Sequence, residues 1–341
     1  VVVSVSCQTT VPPVSPVSTQ TPVQPRVTAA SSRPASPSAT PVPSLPSPAV
    51  LRSIALPWKP TRLESDGERV WVISREAGAL ARIDARGGGL RKAVSLDGTP
   101  YALATDGASV FVNTEGRFGS GVVAVHADSL DRRKQVAIRG AWQLAVAADR
   151  LWVANLAQGP SWVASYRLSD LGPAGPRLTV PIETVAIASD GRFVWVASHD
   201  EAVLTGVDAT AGRLRSSVRI GVEPHGLTYA FGDLWIASYH TNELLRVDPS
   251  RGRVKARVAL PFPPEWLAAD DRRVWVLPAT GGALSDPEDT RLASVDAGTN
   301  RVSNVFVLHA KGTDLAFADG RMWVALESPN SVVAFAAAAT R

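Results

Sequence analysis

Five histidines stand among the 341 residues, and His199, His225 and His240 fall in one stretch of sequence, with Glu265 not far beyond. Imidazole nitrogens and a carboxylate are a donor set for a divalent ion such as Zn²⁺. The same groups can serve as a general acid/base pair. Nothing local joins them: there is no H-E-x-x-H spacing, no G-x-S-x-G elbow and no Gly-rich phosphate loop opening a helix. Only the fold can bring these residues together, and the fold has to be read from elsewhere in the chain.

That reading starts from a short strand with an aromatic residue at its centre. It appears as Val70-Trp71-Val72, Val110-Phe111-Val112, Leu151-Trp152-Val153 and Val194-Trp195-Val196. It returns as Leu234-Trp235-Ile236, Val274-Trp275-Val276 and Met322-Trp323-Val324. The aromatic centres step by 40, 41, 43, 40, 40 and 48 residues, a period of propeller-blade length. Eight residues before each centre sits an aliphatic: Leu63, Leu103, Leu144, Ile187, Leu227, Leu267 or Leu315. Several of these open a stretch such as Ile187-Ala188-Ser189-Asp190-Gly191, a strand running into a tight Asp-Gly turn. A third strand ends in pairs such as Ile83-Asp84 and Val247-Asp248, and a fourth alternates, as in Val218/Ile220 and Val258/Leu260. Period-2 patterning over four short strands per repeat makes a four-stranded meander.

The ends set the topology. After the seventh Trp strand only Val332 to Phe335 is available as a third strand. Ile54 and Leu56 stand in the fourth-strand register at the other end, before Leu63. The expected fold class is therefore all-β: a seven-bladed β-propeller over residues 50–341, closed by an N-terminal strand that completes the last blade. Six of the ten Trp share one position in the repeat and are assigned to packing between blades. Burying each removes roughly 150–250 Å² from water, about 4–6 kcal/mol as an upper bound. Trp58, just after the closing strand, reads as a latch.

One repeat carries a resemblance. Pro224-His225-Gly226-Leu227 through Val254 follows x-P-x-G-L-x-x-x-x-G-x-L-W-I-A-S and then L-x-R-V-D-P-x-x-G-R-V. It resembles the YVTN-repeat propellers, with kinship to the streptogramin-lyase and NHL propellers. The likeness extends over nearly all of residues 50–341. It implies the fold, and it says little of activity because that group is functionally mixed. Streptogramin lyase is a metal-dependent C–O eliminating enzyme that uses His and Glu on one propeller face, and its repeats carry Trp-Phe-Thr-Glu. Here the matching stretches are Trp195-Val196-Ala197-Ser198 and Trp235-Ile236-Ala237-Ser238, without the Glu.

Within a propeller the repeat also locates a site. Positions nine and ten before each aromatic centre, and the loops after the aromatic strands, should ring one mouth of the central channel. This ring yields the candidate ligand-binding residues Arg62, Tyr101, Trp142, Gln143, His199, His225, Tyr239, His240, Glu265, Trp266 and Asp314. Trp142 and Trp266 escape the packing register and suit either an aromatic wall for a ligand or local loop packing. His199, His225, His240 and Glu265 are the alternative metal set, and His225, His240 and Glu265 the alternative catalytic set. Solvated loops are the plain alternative to both. His126 and His309 should lie off this face.

Residues 1–49 are a different material. They hold eleven of the 26 Pro and many Ser and Thr, with Arg26 and Arg33 as their basic residues and no acid. Such a segment cannot offset its ordering entropy, and it reads as an extended tether. Val1 to Cys7 looks like the remainder of a bacterial lipoprotein signal in which Cys7 carries the lipid, though Ser4 stands where that signal normally has Leu. A Sec signal remnant, or an incidental Cys in a disordered start, are the alternatives. The lone Cys excludes an intrachain disulfide. A net charge of +4 gives no support for phosphate-driven nucleic-acid binding. No apolar run approaches the ~18 residues of a membrane-spanning helix.

The leading expectation is an exported, surface-tethered, monomeric propeller of the cell envelope or extracellular space. It would bind a protein, peptide or small ligand at its channel mouth without catalysis or a cofactor. The alternatives are a metal-dependent lyase or hydrolase using the His/Glu set with a divalent metal, and a repeat scaffold within an envelope complex.

Overall fold

The structure is a computed structural model that describes residues 45–116, 119–156, 161–279 and 290–337. The expected tether up to residue 44, with Cys7 in it, lies outside the described residues. The described chain forms seven antiparallel four-stranded sheets, and no helix occurs among the described residues. Six sheets are simple meanders, which we number blades 1 to 6: residues 62–95, 99–137, 141–180, 184–219, 226–259 and 264–307. Blade 7 takes three strands from residues 311–336 and its outermost strand from Val50–Ala55.

The closing register is the one expected. Ile54 pairs with Val332, Ser53 with Val333, and the Leu56 amide donates to the Asn330 carbonyl at 2.9 Å. Both sheet ends are thereby hydrogen-bonded within one blade, so the first and last blades meet without an open edge. The folded chain begins slightly earlier than Val50: the Val307 amide donates to Pro46, and Ser47 Oγ lies 3.1 Å from His309 Nε2. Trp58 packs against the core shared by blades 7 and 1.

Blade 4 shows how the repeat works. Thr184–Ser189 lies innermost, Asp190 caps the turn by accepting from the Phe193 amide at 2.5 Å, and Phe193–Ser198 carries Trp195. All six repeat Trp are at most 2% exposed, and each sits in an apolar cluster with residues of a neighbouring blade. Blade joints are also hydrogen-bonded at one recurrent place, the Ala that follows the third strand. Trp71 Nε1 donates to the Ala127 carbonyl at 3.2 Å, Arg246 Nη1 to Ala297 at 2.5 Å, and Arg321 Nη1 to Ala85 at 2.7 Å. The wedge-to-wedge seam is thus apolar in the middle and pinned by carbonyls toward one face.

The seven innermost strands surround a channel of about 920 Å³. A bulge recurs where these strands begin. In blade 2 the register jumps from Pro100↔Thr114 to Ala102↔Asn113, leaving Tyr101 unpaired. Trp142, Val185, Glu265 and Thr313 are skipped in the same way in blades 3, 4, 6 and 7. A bulge adds a residue to one strand and re-aims side chains around it. In blades 2, 3, 6 and 7 the residue after the skipped one, Ala102, Gln143, Trp266 or Asp314, lines the channel.

Candidate functional site at the channel mouth

The bulge divides the sequence-derived ring in two. Position nine points inward: Arg62, Gln143, Trp266 and Asp314 line the channel wall. Position ten, which includes Tyr101, Trp142, His225 and Glu265, is absent from that lining and sits at the rim with the turns after the aromatic strands. Side chains expected to form one ring therefore occupy two levels.

On one side the residues are aromatic and cationic. The Arg62 guanidinium, from blade 1, lies 3.6 Å from the ring centroid of Trp266 in blade 6, so the pair bridges the wall past blade 7. Arg75 lies 4.3 Å above the Tyr101 ring, which in turn meets Trp142 at 5.2 Å. Burial lowers the Arg62 pKa, and the charges of Asp314 and Glu265 oppose that shift. Asp314 is itself buried. Its carboxylate accepts from the Leu63 amide of blade 1 and from its own neighbour Leu315, both near 2.9 Å. Burial nevertheless raises its pKa to about 6, with Arg62 pulling the other way. Below the rim, Glu64 faces the channel, partly open to water within it yet enclosed by the wall. Burial raises its pKa to about 7.

On the other side, blades 4 and 5 bring the three histidines together. Ser198 pairs with Val203 and Ser238 with Glu243, so residues 199–202 and 239–242 form equivalent four-residue turns. Each ends in a left-handed residue, Ala202 at φ 50° and Asn242 at φ 54°. His199 is the first residue of one turn and His240 the second of the other. His225 precedes the innermost strand of blade 5, and its amide donates to the Ala237 carbonyl at 2.8 Å. It reaches the cluster only because Gly226 follows: a Cβ there would collide with the Glu265 backbone carbonyl of blade 6. The ring centroids of His199, His225 and His240 lie 4.9, 6.3 and 5.5 Å apart, all edge-on, with Tyr239 at 5.4 Å from His225. One ligating atom from each histidine falls within 4.8 Å of the others.

Carboxylates frame this cluster, and they are not the one expected. His199 Nδ1 lies 3.0 Å from Asp200 Oδ1 and 3.4 Å from Glu183 Oε2. Glu223 Oε2 stands 3.2 Å from His240 Nε2 and 3.8 Å from His199 Nε2. Glu265, assigned from sequence to the histidines, instead exerts its charge on Arg62. Glu183 and Glu223 escaped the sequence reading because both precede the innermost strands, outside the nine-and-ten register. An acid immediately before the Pro224-His225-Gly226 start of blade 5 was the signal available. Burial, and then the neighbouring His199, lower the His225 pKa. A hydrogen bond from the Asp200 side raises the Glu183 pKa, while its bonds to His199 and Glu183 hold Asp200 low.

His126 closes the third strand of blade 2, and His309 sits by Ser47 beside the outer strand of blade 6, both away from the mouth.

Two solved structures share this architecture. BamB from Moraxella catarrhalis aligns with a TM-score of 0.61 at 14% identity, covering 86% of this chain and 98% of that one. The Cps50 (Swd1) β-propeller domain of Myceliophteria thermophila aligns with a TM-score of 0.68 at 10% identity, covering 85% and 100%. Identities this low carry the fold alone. No family model matches the chain. No curated protein matches it either. These likenesses support the propeller fold.

Proposed function

We propose that this chain is an exported binding propeller, kin to the YVTN-repeat group, that takes a peptide segment of a protein partner or a small ligand at its channel mouth without transforming it. The observation that carries this reading is the pairing of Arg62 on Trp266 and of Arg75, Tyr101 and Trp142 beside a channel of about 920 Å³. Aromatic faces already stacked with guanidinium groups offer rigid apolar area and cationic donors at small ordering cost. Such residues dominate binding sites. They stand outside the position of the repeat's packing Trp, in the loops and strand starts where function is usually carried, and Trp266 packs against the core as well.

The Pro/Ser/Thr composition of residues 1–49 supports a tether, and the approach to Cys7 supports a lipid on it. A monomer is the working state.

The reading is tested by selecting binders from a displayed peptide library on the immobilised full chain. Binders that lose at least tenfold in affinity to Arg62→Ala or Trp142→Ala, and nothing to the outer-surface change Arg253→Ala, support it. Binders indifferent to every mouth substitution refute it. Membrane fractionation of a bacterial host expressing Cys7→Ser tests the tether separately: unchanged membrane association removes the lipid.

A further inference from the structure

The histidine side of the mouth is costly to assemble unless something occupies it. Three imidazoles from three separate segments meet edge-on, and His225 Nδ1 is buried with no hydrogen-bond partner. Removing a polar nitrogen from water without repayment by a hydrogen bond is unfavourable.

The surrounding carboxylates give the cluster a direction. Asp200 and Glu183 stand on the Nδ1 side of His199, where a ring N–H would find acceptors, and Nε2 is the nitrogen turned toward Glu223. This is the arrangement by which an outer carboxylate fixes the tautomer of a metal-bound imidazole. That Nε2 and the Nε2 of His240 both face Glu223 Oε2, at 3.8 and 3.2 Å. Glu223 thus touches two of the three histidines, and the histidines themselves form the mutually close donor set.

We propose that His199, His225, His240 and Glu223 bind one divalent transition-metal ion, with Asp200 orienting His199. Nitrogen-rich donors select zinc-like ions over Mg²⁺ and Ca²⁺, which prefer all-oxygen shells. Zn–N bonds of about 2.0–2.1 Å at tetrahedral angles place nitrogens roughly 3.3 Å apart. The histidine nitrogens, already within 4.8 Å, therefore need only a side-chain adjustment. The site uses Glu223 and not Glu265, and it stands independently of the ligand-binding reading.

The experiment uses the full chain without a polyhistidine tag. After chelator treatment and dialysis, Co²⁺ is titrated while visible d–d absorption is followed, and Zn²⁺ is then used to displace it. The expected result is saturation at one ion per chain with a tetrahedral spectrum. His240→Ala should weaken affinity by about 100-fold or more, and Asp200→Asn by about 10-fold. His240 is the exposed member, so its loss leaves the fold intact, and a thermal scan of each variant verifies that. His126→Ala, remote from the mouth, should bind as the parent does. Two results overturn the proposal: no saturable spectrum in the parent chain, or unaltered binding in both His240→Ala and His199→Ala.

Discussion

The two sides of the channel mouth draw on positions of one repeat and diverge in what their side chains do for the molecule. On the aromatic side, Arg62 is stacked on Trp266 and electrically tied to Asp314, whose carboxylate in turn holds the amide of Leu63 across the joint of blades 7 and 1. Function and ring closure share those residues. On the histidine side, His199 of blade 4 meets His225, His240 and Glu223 of blade 5, and the cluster leaves a buried nitrogen unsatisfied. The contrast teaches that equivalent positions of one repeat can be recruited either into the scaffold or away from it. Stability measurements distinguish the two.

The largest expected effect comes from crowding the histidine side. Gly226→Ala forces a methyl into the Glu265 carbonyl and should cost about 3 kcal/mol or more in urea unfolding. A loss below about 1 kcal/mol would mean that blades 5 and 6 are not in close approach there.

Next, Arg62→Ala should cost about 2 kcal/mol, from the lost stack on Trp266 and from leaving Asp314 buried without its cation. The contrast with the histidine side disappears if this variant is as stable as the parent.

A pH effect belongs to the channel interior. Glu64 has a folded pKa raised to about 7 from 4.5, so the folded state holds its proton more tightly than the unfolded chain does. Its contribution is fully present below about pH 4.5 and is lost as pH rises through 7. Channel water screens the group, so roughly 1 kcal/mol is expected in that window. Glu64→Gln should flatten the corresponding decline in Tm between pH 5 and 7.5. Unchanged slopes would remove Glu64 as its source.

His225→Ala, by comparison, should change stability by less than about 1 kcal/mol because it also removes the unpartnered nitrogen. A loss of 2 kcal/mol or more in the metal-free chain would place the histidines in the scaffold after all. Smallest of all, Ala202→Gly should gain about 0.5 kcal/mol by relieving the left-handed turn, net of added chain entropy, while Asn242→Gly should be neutral.

Legibility in the sequence followed physical cause. The blades could be read because Trp195 and its equivalents are large apolar groups whose burial forces a fixed spacing. The closing strand could be read because Ile54 and Leu56 repeat the alternation of the other fourth strands. The bulge could not: it is a backbone event at Tyr101, Trp142, Val185, Glu265 and Thr313, residues that share no single side-chain chemistry. Without it, position nine and position ten looked like one ring. Glu265 was drawn to the histidines for the same reason, whereas its charge acts on Arg62. The three histidines lie together because the turns after Ser198 and Ser238 stand side by side and His225 reaches them from the start of the innermost strand of blade 5.

Ring closure by Val50–Ala55 has a consequence for biosynthesis. That strand is made first among the blades' strands and cannot find Ser331–Ala336 until the last turn of the chain has been translated. At about 5–20 residues per second the nascent segment waits roughly 15–55 s with unpaired amides. Its tolerance of that delay rests on composition: Arg52 and Ser53 interrupt its apolar residues, a poor template for a neighbouring nascent chain.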